Sequence, residues 1–105
     1  MHPFIALTAP RPDVQVVALR GALDGVTAVR VARIVEARAR LAGTGGVVTR
    51  HIVVDLRGTT SVTATAAAEL DRAATRARRR GLHVHVVGPD PTADIESVLQ
   101  RTADA

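Results

Sequence analysis

The stretch VVDLRGTTSVTATAAAEL, from Val53 to Leu70, contains two different sequence patterns and decides the fold. Its start belongs to a nearly unbroken apolar run over residues 51–56, which is typical of a strand in the middle of a sheet. Alanines at its end begin a helical pattern. Between the two lies a cluster of hydroxyl residues: Thr59, Thr60, Ser61, Thr63 and Thr65. The stretch predicts a buried strand, a hydroxyl-rich loop and a helix that begins at about Thr65.

Upstream of this stretch, two short strands and a helix are predicted. Residues 4–8 and 14–21 are rich in apolar and β-branched residues and flank a proline-containing turn, which favours a hairpin. Residues 24–43 have helical periodicity, and Asp24 or Thr27 is suited to cap the start of this helix. The residues expected on the buried stripe of the helix are Val31, Ile34, Val35 and Leu41.

Downstream, the pattern continues with a helix, a strand and a final helix. The helix that begins at about Thr65 is expected to run to Arg80, with Gly81 as a left-handed stop. Residues 82–87 alternate like a strand, and Asp90 followed by proline predicts the start of a last helix. The inner face of the middle helix is expected to contain Ala66, Ala67, Leu70, Ala73, Ala74 and Ala77.

The predicted order of elements is β-β-α-β-α-β-α. Strands that alternate with helices indicate parallel pairing through right-handed crossovers, while the first two strands are close enough to pair antiparallel. We therefore expect an α/β fold with a small mixed sheet and helices mainly on one side. A length of 105 residues fits a single domain over residues 1–105.

Composition excludes several classes of site. The chain has no cysteine, which excludes disulfides and thiolate chemistry, and only one aromatic residue, which argues against nucleic-acid stacking. No apolar run is long enough to span a bilayer, and the N-terminus does not resemble a signal peptide, so we expect a cytoplasmic protein. The net charge is +4, and all 14 basic residues are arginines. A codon bias toward arginine explains this charge without a function.

Two segments together resemble the STAS domain, in particular the stand-alone anti-anti-sigma factors of bacteria. LRGALDGVTA, residues 19–28, is similar to the family pattern L-x-G-x-L-D-x-x-T-A. VVDLRGTTSVTATAAAEL, followed by RRRGLHVHVVGP, is similar to D-L-S-G-V-x-x-I-D-S-S-G-L-x-x-L and the strand after it. The resemblance covers nearly the whole chain, and the order and spacing of the motifs carry it.

This resemblance implies a function in transcription regulation. Members of this family bind an anti-sigma factor with a kinase-like ATPase fold and so free a sigma factor; phosphorylation ends the complex and a phosphatase restores it. By resemblance, Thr65 occupies the phosphoacceptor position, and no cofactor is implied. The residues expected to contact the partner are Asp24, Gly58, Thr60, Ser61, Thr63, Ala64 and Ala66.

The chain departs from the family pattern around the acceptor. The family's D-S-S-G falls on Thr63, Ala64, Thr65 and Ala66, so a hydroxyl is kept at the acceptor position while the acidic residue and the glycine are replaced. A helix N-terminus stabilises an anion, which suits a phosphate on Thr65. The alternative for these hydroxyls is simple helix capping, which contributes about 1 kcal/mol.

Two further functions stay open at this point. One is a diverged STAS module that binds a partner constitutively, as a scaffold or as an accessory subunit of a transport system. The other is a sensor that grips a nucleotide or another anion at the helix N-terminus. The missing residues of D-S-S-G favour the constitutive module, and the surviving hydroxyl favours the switch.

Three other groups of residues have side chains that occur in metal, nucleic-acid or catalytic sites. His51, His83 and His85 are expected near one end of neighbouring strands, but no cysteine or carboxylate with ligand spacing accompanies them, so we expect no metal site. The arginines of residues 72–80 are expected to form a solvated helix face and not a nucleic-acid site. Asp55 has no partner residue in any catalytic motif, and we expect no enzyme activity.

Overall fold

The computed structural model describes residues 4–42 and 49–88, which form four strands and two helices. The elements are β1 (Phe4–Arg11), β2 (Val14–Leu23), α1 (Gly25–Ala42), β3 (His51–Val62), α2 (Ala64–Arg79) and β4 (His83–Val87). The predicted last helix, with Asp90 at its start, lies outside the described residues. Within the described ranges, neither helix is long and apolar enough to cross a membrane.

The strands form one mixed sheet in the order β1-β2-β3-β4. β1 pairs antiparallel with β2 as a hairpin, and β2 pairs parallel with β3, which pairs parallel with β4. The parallel pairs are connected by α1 and α2, since a parallel connection must return along the sheet. The predicted mixed α/β fold is confirmed.

Both helices pack on the same face of the sheet, where they form the main core. Side chains alternate between faces along a strand, so Ile52 and Val54 of β3 point to the helices while Val53 points to the other face. α1 and α2 contact each other through small residues, which allows two helices to lie close together without aromatic side chains. Their main-core residues are Ala28, Val31, Val35, Ala39, Ala66, Leu70, Ala74 and Ala77.

The hydroxyl-rich segment is not the predicted loop, because β3 continues through it to Val62. β2 is also longer than expected, and the two extensions pair: Gly21 lies opposite Thr59, and Leu23 lies opposite Val62. Thr and Val are branched at Cβ and favour extended backbone, so a partner strand is sufficient to keep this segment in the sheet. The prediction of a loop was wrong because it assumed that a run of polar residues has irregular backbone.

Two predicted core positions are also wrong. Leu41 of α1 is 43% exposed, and Ala67 of α2 is exposed as well. Ala28, Ala32 and Ala39 complete the buried face of α1 instead. The buried stripe of α1 differs from the prediction because α2, and not the sheet alone, packs against it and buries its small residues.

Candidate functional site

The N-termini of the two helices meet at one edge of the sheet. β2 and β3 run parallel, so both end at the same edge, and each is followed after one residue by a helix. The backbone N–H of Thr63 donates a hydrogen bond to the carbonyl oxygen of Leu23 at 3.0 Å, which ties the start of α2 to the end of β2. The edge therefore has two sets of backbone N–H groups and two positive helix-dipole ends close together.

Thr65 lies where the two helices meet. It is the second residue of α2, and its side chain is exposed. A Cβ atom built on Gly25, the first residue of α1, would lie 3.1 Å from Thr65 Cγ2, which is tighter than ordinary contact. Glycine at this position thus lets the Thr65 side chain sit directly against the start of α1.

Each helix has its own polar cap. Asp24 Oδ1 accepts a hydrogen bond from the Thr27 N–H at 2.9 Å, and Thr63 Oγ1 accepts one from the Ala66 N–H at 3.1 Å. The Thr27 N–H holds the pKa of the Asp24 carboxyl below its ordinary value, because the bond favours the charged form. Asp24 is therefore the cap of α1, as one of the two sequence alternatives predicted.

Capping and the acceptor position belong to different hydroxyls. Thr63 has extended backbone and caps α2, whereas Thr65 is inside the first turn of the helix. Helix capping therefore explains the hydroxyl of Thr63. It does not explain the hydroxyl of Thr65, an exposed residue. The helix starts at Ala64, one residue before the predicted start.

The other residues expected at the surface differ in exposure. Thr60, Ser61 and Ala64 are exposed near Thr65, as is Thr63. Ala66 is fully buried in the main core, so its side chain cannot contact a partner, which corrects that expectation. Gly58 is exposed but has a packing role, because a Cβ there would lie 3.0 Å from the Leu19 carbonyl oxygen.

An apolar patch beside Thr65 was missed at the level of sequence. Val26, the second residue of α1, is 70% exposed, and Val29 is 36% exposed. Residues three apart lie on the same side of a helix, so the two valines form one patch next to Gly25. A signal was present in the sequence, since both valines fall off the buried stripe that Val31 and Val35 define.

Asp55 and Arg57 form a structural ion pair beyond this site. The Arg57 side chain donates two hydrogen bonds to the Asp55 carboxylate, from Nε and Nη2, each at 2.9 Å. These bonds lower the pKa of the Asp55 carboxyl, and the Arg57 N–H adds to the effect. Asp55 lies in the middle of β3 and not at its end, which places it within the sheet.

The arginines of α2 have the solvated character that was predicted. Arg72 pairs with Glu69 on the same helix, and Arg76 pairs with Glu36 of α1. Both arginine side chains are more than half exposed, and exposed pairs of this kind contribute about 0–1 kcal/mol. Among the described residues no group of three or more His, Cys, Asp or Glu residues has the arrangement of a metal site.

Replacing Thr63 by alanine is expected to destabilise the protein by about 1 kcal/mol, because α2 loses its cap bond. Thr65→Ala is the matched control, since it removes a hydroxyl two residues away that does not cap the helix. Urea unfolding of both variants measures the difference. Equal losses in the two variants would contradict the assignment of the cap to Thr63.

A four-stranded mixed sheet with two helices on one face, and a polar edge where both helices start, defines a small α/β domain with its candidate site at the helix N-termini. A sequence profile of the STAS domain matches residues 7–102. The chain therefore belongs to the STAS domain family. No protein of curated function matches its sequence significantly.

Solved structures share this fold. The unphosphorylated anti-sigma factor antagonist SpoIIAA has a TM-score of 0.64 at 14% identity, over 97% of this chain and 100% of that chain. The phosphorylated Bacillus cell fate determinant SpoIIAA has a TM-score of 0.65 at 14% identity, over 94% and 99%. Mglu has a TM-score of 0.66 at 16% identity over 81% of this chain, but only 19% of the Mglu chain is covered. The present chain thus spans about a fifth of the length of that structure.

Proposed function

We propose that this chain is an anti-anti-sigma factor that works by partner switching. In its unmodified form it binds an anti-sigma factor with a kinase-like ATPase fold, in the cytoplasm, and phosphorylation of Thr65 ends the complex until a phosphatase removes the phosphate. The observation that carries the proposal is that Thr65, a hydroxyl residue, is exposed at the point where two helix N-termini meet.

A phosphate at Thr65 is compatible with the folded chain. α2 has no acidic residue in its first turn and its cap, Thr63, is uncharged, so no carboxylate of α2 itself neutralises the positive end of its dipole. Backbone N–H groups at a helix start bind phosphate oxygens, and a phosphate adds roughly −1.5 to −2 charges. The modification therefore changes the surface while α2 remains a helix.

The same charge opposes binding of a partner at this edge. The patch of Val26 and Val29 offers apolar surface that a partner would cover, and Thr65 lies against the start of the same helix. Asp24, the residue before Gly25, already places a negative charge at the start of α1. A phosphate would be desolvated by the partner and would repel any acidic group brought near it. This combination is sufficient for a switch.

The departures from the family pattern have a structural account. Thr63, which replaces an aspartate, keeps the ability to cap α2 through its Oγ1. Ala66, which replaces a glycine, is fully buried and suits a helix interior better than glycine does. With these replacements α2 is still capped and packed, so the start of the helix that the switch requires is kept, and the surviving hydroxyl of Thr65 favours the switch.

Capture experiments with paired baits test the proposal. The unmodified chain, used as bait in host lysate, is expected to capture a kinase-like ATPase that binds a sigma factor. Val26→Asp is expected to capture much less of it, because the variant puts a charge into the apolar patch. Mass spectrometry identifies the ATPase and measures the ratio between baits.

Leu41→Asp is the matched control for the patch variant. Leu41 is also exposed, but it is fifteen positions further along α1, about 22 Å away along the helix axis. The midpoint temperature of thermal unfolding, measured for both variants, shows whether each bait is folded. Equal capture by Val26→Asp and Leu41→Asp would remove the helix-start edge from the interface, and capture of no ATPase by any bait would contradict the function itself.

A further inference from the structure

Three histidines form a cluster on the sheet face opposite the helices. His51 of β3 lies directly opposite His83 of the neighbouring strand β4, and His85 is two residues further along β4, on the same side. The ring centroids of His51 and His83 are 5.0 Å apart, and those of His51 and His85 are 5.5 Å apart. The Thr65 edge involves none of these residues.

His51 and His85 face each other through ring nitrogens. His51 Nδ1 and His85 Nε2 are 3.2 Å apart, while the ring centroids are 5.5 Å apart. The difference is close to the sum of the two ring radii, so the nitrogens point at one another along the line between the rings. Two imidazoles that share a tetrahedral metal ion converge at an angle instead. The geometry is that of an N–H···N hydrogen bond.

We propose that His51 and His85 form a proton-sensitive latch between β3 and β4, closed while the pair carries at most one positive charge and opened when both rings are protonated. A neutral or singly protonated pair has one donor and one acceptor at the facing nitrogens. A doubly protonated pair has two N–H donors facing each other, and the bond is lost.

The charges around the pair oppose double protonation. In the β1–β2 hairpin, Arg11 disfavours a positive charge on His51, whereas Asp13 favours it. Arg50, the residue before His51, also disfavours it. Arg78 of α2 is fixed beside β4 by a hydrogen bond from Nη2 to the Val84 carbonyl oxygen at 2.8 Å, and it disfavours a charge on His85. His83 disfavours a charge on both.

Burial is the largest cause that lowers the pKa of His51 and of His85 below the ordinary 6.5; neighbouring histidines and arginines act in the same direction, and Asp13 opposes them at His51. A lowered pKa means that the unfolded chain takes up protons at a higher pH than the folded chain does. The stability from the latch is therefore complete well above pH 6.5 and is lost as the pH falls through the lower pKa values of the folded state.

A double-mutant cycle with His51→Gln and His85→Gln tests the latch. Urea unfolding is measured for the wild type, both single variants and the double variant at about pH 8 and about pH 4.5, because double protonation of two histidines with lowered pKa values needs a pH well below the ordinary histidine range. The coupling between the two positions is expected to be favourable at the higher pH and absent at the lower pH. Asp24 and Asp55 stay ionised throughout, since their pKa values are lowered below 3.8.

The pair His51 and His83 provides the control, because these rings are stacked neighbours for which no direct bond is observed. The cycle with His83→Gln is expected to show a smaller coupling at the higher pH. A coupling of His51 with His85 that is zero at the higher pH, or equal at both, overturns the proposal.

A second measurement decides the matter if the double variant does not fold. In NMR titration of the wild type, His51 and His85 are expected to titrate in two coupled steps. In His85→Gln, His51 is expected to lose the coupling to position 85 and to titrate in one step. An unchanged titration of His51 in that variant overturns the latch.

Discussion

The Thr65→Glu variant is expected to bind the captured ATPase roughly 100-fold more weakly than the unmodified chain, a loss of about 2.7 kcal/mol. Glutamate places a negative charge at the exposed second position of α2, against the start of α1, whose cap is Asp24. A charge that a partner must desolvate without a matching cation costs binding energy of this order. Calorimetry with the purified ATPase measures the two dissociation constants.

The folded state is expected to tolerate the same substitution. An acidic side chain in the first turn of a helix is favoured by the dipole by about 0.3–1 kcal/mol, and α2 has no acidic residue there. Thr65→Ala is the control and should bind nearly as well as the wild type. If Thr65→Glu unfolds no more easily and still binds within about threefold of wild type, Thr65 does not lie in the interface.

The Ile52→Ala variant is expected to lose about 2–5 kcal/mol of unfolding free energy. Ile52 is fully buried in β3, between the paired strands β2 and β4, and points toward the helices. Removing three carbon atoms there leaves a cavity that the sheet cannot close, since β3 has partners on both sides. Urea unfolding of the variant measures the loss.

An exposed valine on a helix gives the matched control for this prediction. Val29→Ala truncates a side chain that is 36% exposed on α1, and such surface changes usually alter stability by less than about 0.5 kcal/mol. A loss below about 1 kcal/mol for Ile52→Ala would mean that β3 is not the central strand of the core.

The fold was predictable from the sequence because its strands and helices have strong local patterns. The apolar run at the start of β3 indicated an interior strand, and Gly81, with a φ of 94°, ended α2 as a left-handed stop. The second half of β3 was not predictable in the same way. Its hydroxyl residues are extended because β2 lies beside them, and that pairing is a non-local contact that polarity does not reveal.

The candidate site was predictable only in part. Resemblance placed Thr65 at the acceptor position, and Asp24 was identified as a possible cap from its place before a helical pattern. The contact between Thr65 and Gly25 joins residues 40 positions apart, so no local pattern contains it. The exposure of Val26 and Val29 had a local signal, because both lie off the buried stripe of α1, but their position beside the start of α2 did not.

The proposed phosphorylation is tested most directly on the two purified proteins. The chain is incubated with the captured ATPase and Mg-ATP, and the products are analysed by intact-mass and fragment-ion mass spectrometry, with Thr65→Ala in parallel. The account predicts one phosphate, located on Thr65, none on Thr65→Ala, and a phosphorylated chain that no longer co-elutes with the ATPase. A phosphate on Thr60, Ser61 or Thr63 instead, or no phosphate while the complex persists, would contradict it.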